Sequence, residues 1–234
     1  MEKAYRNISI FFAGVLLVIF AGFFKTYFGL FPSFEKVTTI QHVHGLLFLL
    51  WFVMLLVQPI LIRNRKYALH RAIGKFSYVL VPVIVVSIFF IARELYLHKL
   101  KAGDHAASVA STFVPFLQIV DFVWLYALAI YHKKHAPSHM RYMITTSLAI
   151  SGAGIRRICT LLIGTTVPQA FIAGFLITDL VLLTLIAYDM KHKRNWRPYA
   201  VSLAIIGISQ IAFYVVPQSV LWQELAGKFT QMFF

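Results

Sequence analysis

The stretch TTIQHVHGLLFLLWFVMLLVQPILIRNRKYALHRAIGK, residues 38–75, decides the fold class. From Thr38 to Ile62 it holds no Asp, Glu, Lys or Arg. A helix needs about 20 mostly apolar residues to cross the hydrocarbon of a bilayer, and this run supplies them. Directly behind it come Arg63, Arg65, Lys66, Arg71 and Lys75. An apolar run closed by a basic loop is the pattern of a spanning helix whose end stays in the cytoplasm.

The rest of the 234-residue chain repeats that theme. Hydrophobic residues make up 60% of it and charged residues 13%, against about 25% charged in a soluble domain. This excludes a soluble globular enzyme and a disordered chain. A lone cysteine, Cys159, excludes a disulfide scaffold. The net charge of +14 invites a nucleic-acid reading. The basic residues, however, sit in the loops between apolar runs, so the expected partner is the lipid bilayer and no nucleic acid.

Seven spans are predicted, over residues 7–30, 38–62, 72–96, 106–131, 139–163, 167–188 and 199–217, with an interfacial amphipathic tail continuing to Phe234. The first has no cleavage motif of small residues and reads as a span, not a removable signal. The loops after the second, fourth and sixth spans are basic; Lys133, Lys134, Lys191, Lys193, Arg194 and Arg197 lie in the latter two. With Lys3 and Arg6 also inside, the N-terminus is cytoplasmic and the C-terminus outside. The expectation is one all-α domain over residues 1–234, an integral membrane bundle of seven transmembrane helices.

An ionisable group within a span costs about 2.5–3.5 kcal/mol on insertion scales, so each needs a reason. Asp121 falls near mid-membrane. His44, Arg156 or Arg157, Asp179, Gln210 and Tyr214 fall in the outer half, where they are expected to converge. Two readings stand side by side: a structural Arg–Asp pair with a hydrogen-bonded histidine, or a polar pocket in which the arginine anchors an anionic or polar ligand. His44, Trp51 and Gln58 are spaced by seven and form one inward stripe. His42 lies about 200° from His44 around the helix and cannot join it at one centre.

The inner end holds a second cluster: His70 and Arg71 open the third span, and His132, His135 and His139 surround the start of the fifth. His135 and His139 have the i, i+4 spacing of a ligand pair, but Pro137 between them puts His135 in the loop. Ser138 is a plausible N-cap, and Arg141 is placed to snorkel to the interface. His70, His139 and His135 are the candidate ligands for a metal ion (zinc, copper or iron), with Gln58 or Asp189 as partner to a second ring nitrogen. The plain alternative is a set of histidines solvated among headgroups.

His44-Gly45 with Trp51, Gln58-Pro59, His70-Arg71-x-x-Gly74, His139-x-Arg141-x-Met143 and Thr178-Asp179-Leu180 ending in Tyr188-Asp189 together resemble an uncharacterised bacterial family of multi-spanning membrane proteins. The resemblance covers most of spans two to six and implies the bacterial inner (cytoplasmic) membrane, without an activity. More loosely, the chain is similar to di-haem membrane cytochromes of the b type. That likeness implies haem b, with His70 paired to His139 on the inner side and His44 to His105 on the outer. It departs from the pattern in that His70 and His105 lie at span edges.

The leading expectation is an integral membrane protein that binds a metal ion or b-type haem through histidines of spans two, three and five, for redox or electron transfer. His44, Gln58, Arg156, Arg157 and Asp179 are its candidate cofactor-binding residues. The alternatives are a small-molecule transporter or sensor using the outer-half pocket, and a metal-dependent membrane hydrolase using Asp121 or Asp189. A structural homo-oligomer or partner in a membrane complex also stays open. No nucleophile motif of the Gly-x-Ser-x-Gly kind is present, and no lysine sits in the middle of the seventh span, which argues against a rhodopsin.

Overall fold

The structure, a computed structural model, describes residues 8–35 and 37–234. Asn7, Lys3 and Arg6, on which the start and orientation of the first predicted span rest, lie outside the described residues. The chain runs through α1 (Ile8–Phe24), α2 (Thr39–Arg63), α3 (Tyr67–Leu100), α4 (His105–Ser111), α5 (Phe113–Tyr131), α6 (Ala136–Arg157), α7 (Val167–Lys191), α8 (Arg197–Val215) and α9 (Val220–Phe233). The described residues contain no β-strand. A π-helical segment, Ile158–Ile163, prolongs α6.

Local chemistry sets the boundaries. α2 and α7 each begin with a capping box, Thr38 with Gln41 and Thr166 with Gln169, which satisfies backbone donors that the helix itself leaves unpaired. Prolines stand in the first turns of α6, α7 and α8, where a missing N–H costs nothing. The π segment stops at Gly164, whose φ of 83° is left-handed.

Among the described residues, six helices are long and apolar enough to cross a membrane, if α4–α5 is taken as one and the π segment is joined to α6. The first of the seven predicted spans is not among them. α1 has 17 residues, about 26 Å at 1.5 Å per residue, against hydrocarbon of about 30 Å. Its expected continuation to Leu30 is a turn and a short 3₁₀ helix, Phe28–Leu30. The predicted fourth span bends at Thr112, between α4 and α5. Pro115 explains the bend: its ring clashes with the carbonyl four residues back, at Ser111, where α4 ends.

α3, with 34 residues, is about 51 Å long and exceeds the hydrocarbon by several turns. Its far end meets α4 and α9 in a separate apolar cluster of Tyr96, Val109 and Ala226. The tail predicted as amphipathic is α9: Ala226, Gly227 and Thr230 pack inward while Val220, Leu221 and Met232 are exposed.

α6 is the axis of the bundle, with α1, α5, α7 and α8 packed around it. It is rich in hydroxyl and small residues, and Thr145, Thr146, Ser147, Ser151 and Gly154 are buried. Most of those hydroxyls bond a carbonyl of their own helix, such as Ser147 to Ile144 and Ser151 to Leu148, and so need no other partner. Small residues let neighbouring backbones approach, the usual device of helix association in lipid. The closest approach is Gly22 of α1 on Gly154. A Cβ at Gly22 would stand 2.7 Å from the Gly154 Cα. Gly22→Val is expected to lower stability by roughly 1–3 kcal/mol, read as a lower melting temperature in detergent. Gly14→Val, at a position with open space around it, leaves it unchanged.

Candidate functional site

A cavity of about 860 Å³ opens at the basic-loop end of the bundle, between α1, α2, α3, α5 and α6. Most of its wall is apolar, from residues such as Phe12, Leu55, Ile130 and Met143. Two imidazoles enter it. His70 is the fourth residue of α3 and His139 the fourth of α6, so both project from a first helical turn at the same end of the bundle. They lie within electrostatic reach of one another. His139 Nδ1 bonds the Ala129 carbonyl at 2.7 Å. A carbonyl only accepts, so Nδ1 carries the proton and Nε2 keeps the lone pair. His70 Nδ1 is buried without a hydrogen-bond partner, as is Gln58 Oε1 beside it; the Gln58 amide nitrogen donates to the His70 carbonyl at 3.2 Å. Arg71, Lys75 and Lys133 line the same cavity and are exposed, which makes its mouth cationic.

His135 stands apart from this pair. It precedes α6, is exposed, and has Nδ1 2.9 Å from Ser138 Oγ. Ser138, expected as an N-cap, lies within the first turn and also accepts from Asn195 at 3.0 Å. Among the described residues no group of three or more His, Cys, Asp or Glu is placed to hold a metal ion. The inward stripe of α2 runs as spaced: Trp51 is fully buried, against Phe122 and Tyr126, and His44 and Gln58 are half-buried.

The outer-half residues divide into three groups. His44 Nδ1 is 3.0 Å from Ser87 Oγ, between α2 and α3, while His105 is exposed at the start of α4. His42 turns elsewhere, to the Tyr27 hydroxyl at 2.7 Å. Arg157 faces α1, its guanidinium 4.1 Å from the centroid of the Phe23 ring. Asp179 accepts from Gln210 at 2.9 Å, between α7 and α8. Arg156 faces α7 and packs over Phe171, 4.5 Å from its ring centroid. Tyr214 is exposed. Neither Arg156 nor Arg157 forms an ion pair with Asp179 among the described residues.

The Arg–Asp pair exists at the other end, between residues read differently in the sequence. Arg141 Nε donates to Asp189 Oδ2 at 2.6 Å, with both side chains fully buried. Arg141 Nη1 donates to the Pro137 carbonyl at 2.9 Å, and its guanidinium lies 5.9 Å from the Tyr199 ring centroid. The pair ties α6, α7 and α8 together. Arg141 therefore does not snorkel, and Asp189 is its partner. The signal available was that a buried acid and a buried base fall at one depth; 48 positions separate them in the chain. Ser209, which donates to Asp121 at 2.6 Å, was also missed, as one serine among several.

No protein-family model, curated protein or solved structure matches the chain.

Removing one partner from a buried ion pair strands the other charge. Asp189→Ala is expected to cost about 3–5 kcal/mol, measured by denaturant unfolding in detergent. The apolar double substitution Arg141→Met with Asp189→Leu recovers most of that loss.

Proposed function

We propose that the chain is a seven-pass protein of the bacterial inner membrane that holds b-type haem between His70 and His139 and serves electron transfer. The reading rests on one observation: among the described residues, two imidazoles and no carboxylate share a largely apolar cavity of about 860 Å³. A bare zinc ion takes four protein ligands or three with an open position, and only two histidines are available here. Haem brings four nitrogens of its own, so His70 and His139 would be enough to hold its iron. The donor set therefore suits haem better than a metal ion, and the hydrolase reading lacks its ligands. Haem supplies one-electron exchange when bound.

The chain's own residues account for the rest. His139 is held in one tautomer by the Ala129 carbonyl, leaving Nε2 as the coordinating atom. His70 Nδ1 and Gln58 Oε1, both buried and unpaired, are the atoms a bound group or its water would satisfy. Arg71, Lys75 and Lys133 would pair with carboxylates at the cavity mouth. Basic loops flank that mouth, which supports a cytoplasmic orientation, with α1 as the seventh, short pass. The likeness to b-type cytochromes points the same way for the inner pair. An outer haem has no such support, since His44 bonds Ser87.

The test is the visible spectrum of the protein purified from haem-fed cells and after titration with hemin. A Soret band with the sharp reduced-state bands of bis-imidazole ligation is expected. His70→Ala and His139→Ala each abolish those bands, while His44→Ala and His135→Ala leave them intact. A protein that stays colourless through both loadings, or keeps its spectrum without His70 and His139, would overturn the reading.

A further inference from the structure

A second cavity, of about 70 Å³, lies among α5, α6, α7 and α8. It shares no lining residue with the inner one. Its polar wall comes from Gln118 and Asp121 of α5, Arg156 of α6, and Ser209 and Gln210 of α8. Aromatic rings, Phe171 and Phe213 among them, make up much of the remainder.

Arg156 is the decisive group. An arginine near the end of a spanning helix ordinarily sends its charge outward to the headgroups. This one does the reverse. Its Nη1 stands 3.1 Å from the position a Cβ on Gly152 would take, one turn back toward the middle of the bundle. Its Cγ is 3.5 Å from the corresponding point at Gly174. Two glycines thus clear a channel through which the guanidinium reaches the cavity. Among the described residues it has an aromatic platform in Phe171 and no carboxylate partner. Asp121 lines the same cavity, takes its hydrogen bond from Ser209 at 2.6 Å, and forms no ion pair with Arg156.

The geometry points to a binding site for a small monocarboxylate anion, held by the fork of Arg156. A guanidinium presents two parallel N–H groups that match a carboxylate, and the Gln118 and Gln210 amides line the same cavity. The cavity is much the smaller of the two, so we take the ligand to be a compact monocarboxylate such as formate or acetate.

The test uses the full chain in lipid nanodiscs and equilibrium binding of radiolabelled acetate at fixed ionic strength. Saturable binding is expected that chloride does not displace. Arg156→Gln weakens it more than about tenfold, the loss of a charged hydrogen-bonded anchor. Arg157→Gln, which removes a guanidinium directed at Phe23, leaves it unchanged. Gly152→Ala, which crowds the guanidinium without removing a charge, weakens acetate several-fold and serves where Arg156→Gln does not fold. Absence of saturable acetate binding to the wild-type chain would overturn the proposal and leave a water-filled polar seam. So would equal affinity in Arg156→Gln, or displacement by chloride at equal concentration.

Discussion

A guanidinium and a carboxylate with no exposure, Arg141 and Asp189, hold α6 and α7 together at the basic-loop end of the bundle. In hydrocarbon neither has water to fall back on, so each is bound to the other and to the helix positions that bring them together. Arg141 also bonds the Pro137 carbonyl within its own first turn and lies against Tyr199 of α8. The pair therefore fixes how far α6 is inserted relative to α7 and α8. His139 sits two residues before Arg141, and Arg156 four turns beyond it. The depth of both functional candidates on α6 is set by this one contact.

The bundle inverts the packing logic of a soluble protein. Its outward faces are apolar because the surroundings are lipid, as Leu176, Leu180 and Leu183 on α7 illustrate. Its central helix, α6, is among the most polar and is the most enclosed. Thr145 bonds both the Arg141 carbonyl and Ser202 of α8, so even its lateral contacts are hydrogen bonds between hydroxyls. Gly154 lets α1 close on it. A helix surrounded by protein needs no apolar surface, only partners for its polar groups.

Two cavities flank that helix, and they differ in chemistry. The inner one is large, apolar and cationic at its mouth, with the ring nitrogens of His70 and His139 as its main polar atoms. The outer one is small and lined by amides, an acid and a base. The first suits a flat apolar group with negative substituents; the second suits a compact anion. Because Arg156 and Arg157 are consecutive, they leave α6 about 100° apart. One serves the outer cavity, and the other packs on Phe23 toward α1.

The all-helical membrane character was legible in the sequence, because an uncharged run such as 38–62 has no stable home except hydrocarbon. The inward stripe of His44, Trp51 and Gln58 was legible for the same local reason: seven residues make two turns. The break between α4 and α5 follows from Pro115, a helix breaker visible in the sequence within an otherwise continuous apolar run. The pairing of charges was not legible. Periodicity gives a residue's depth and its side of a helix, but the rotation of one helix against its neighbours depends on packing along the whole interface. That rotation gave Asp189 to Arg141, gave Asp179 to Gln210, and turned Arg156 inward through the gap left by two glycines.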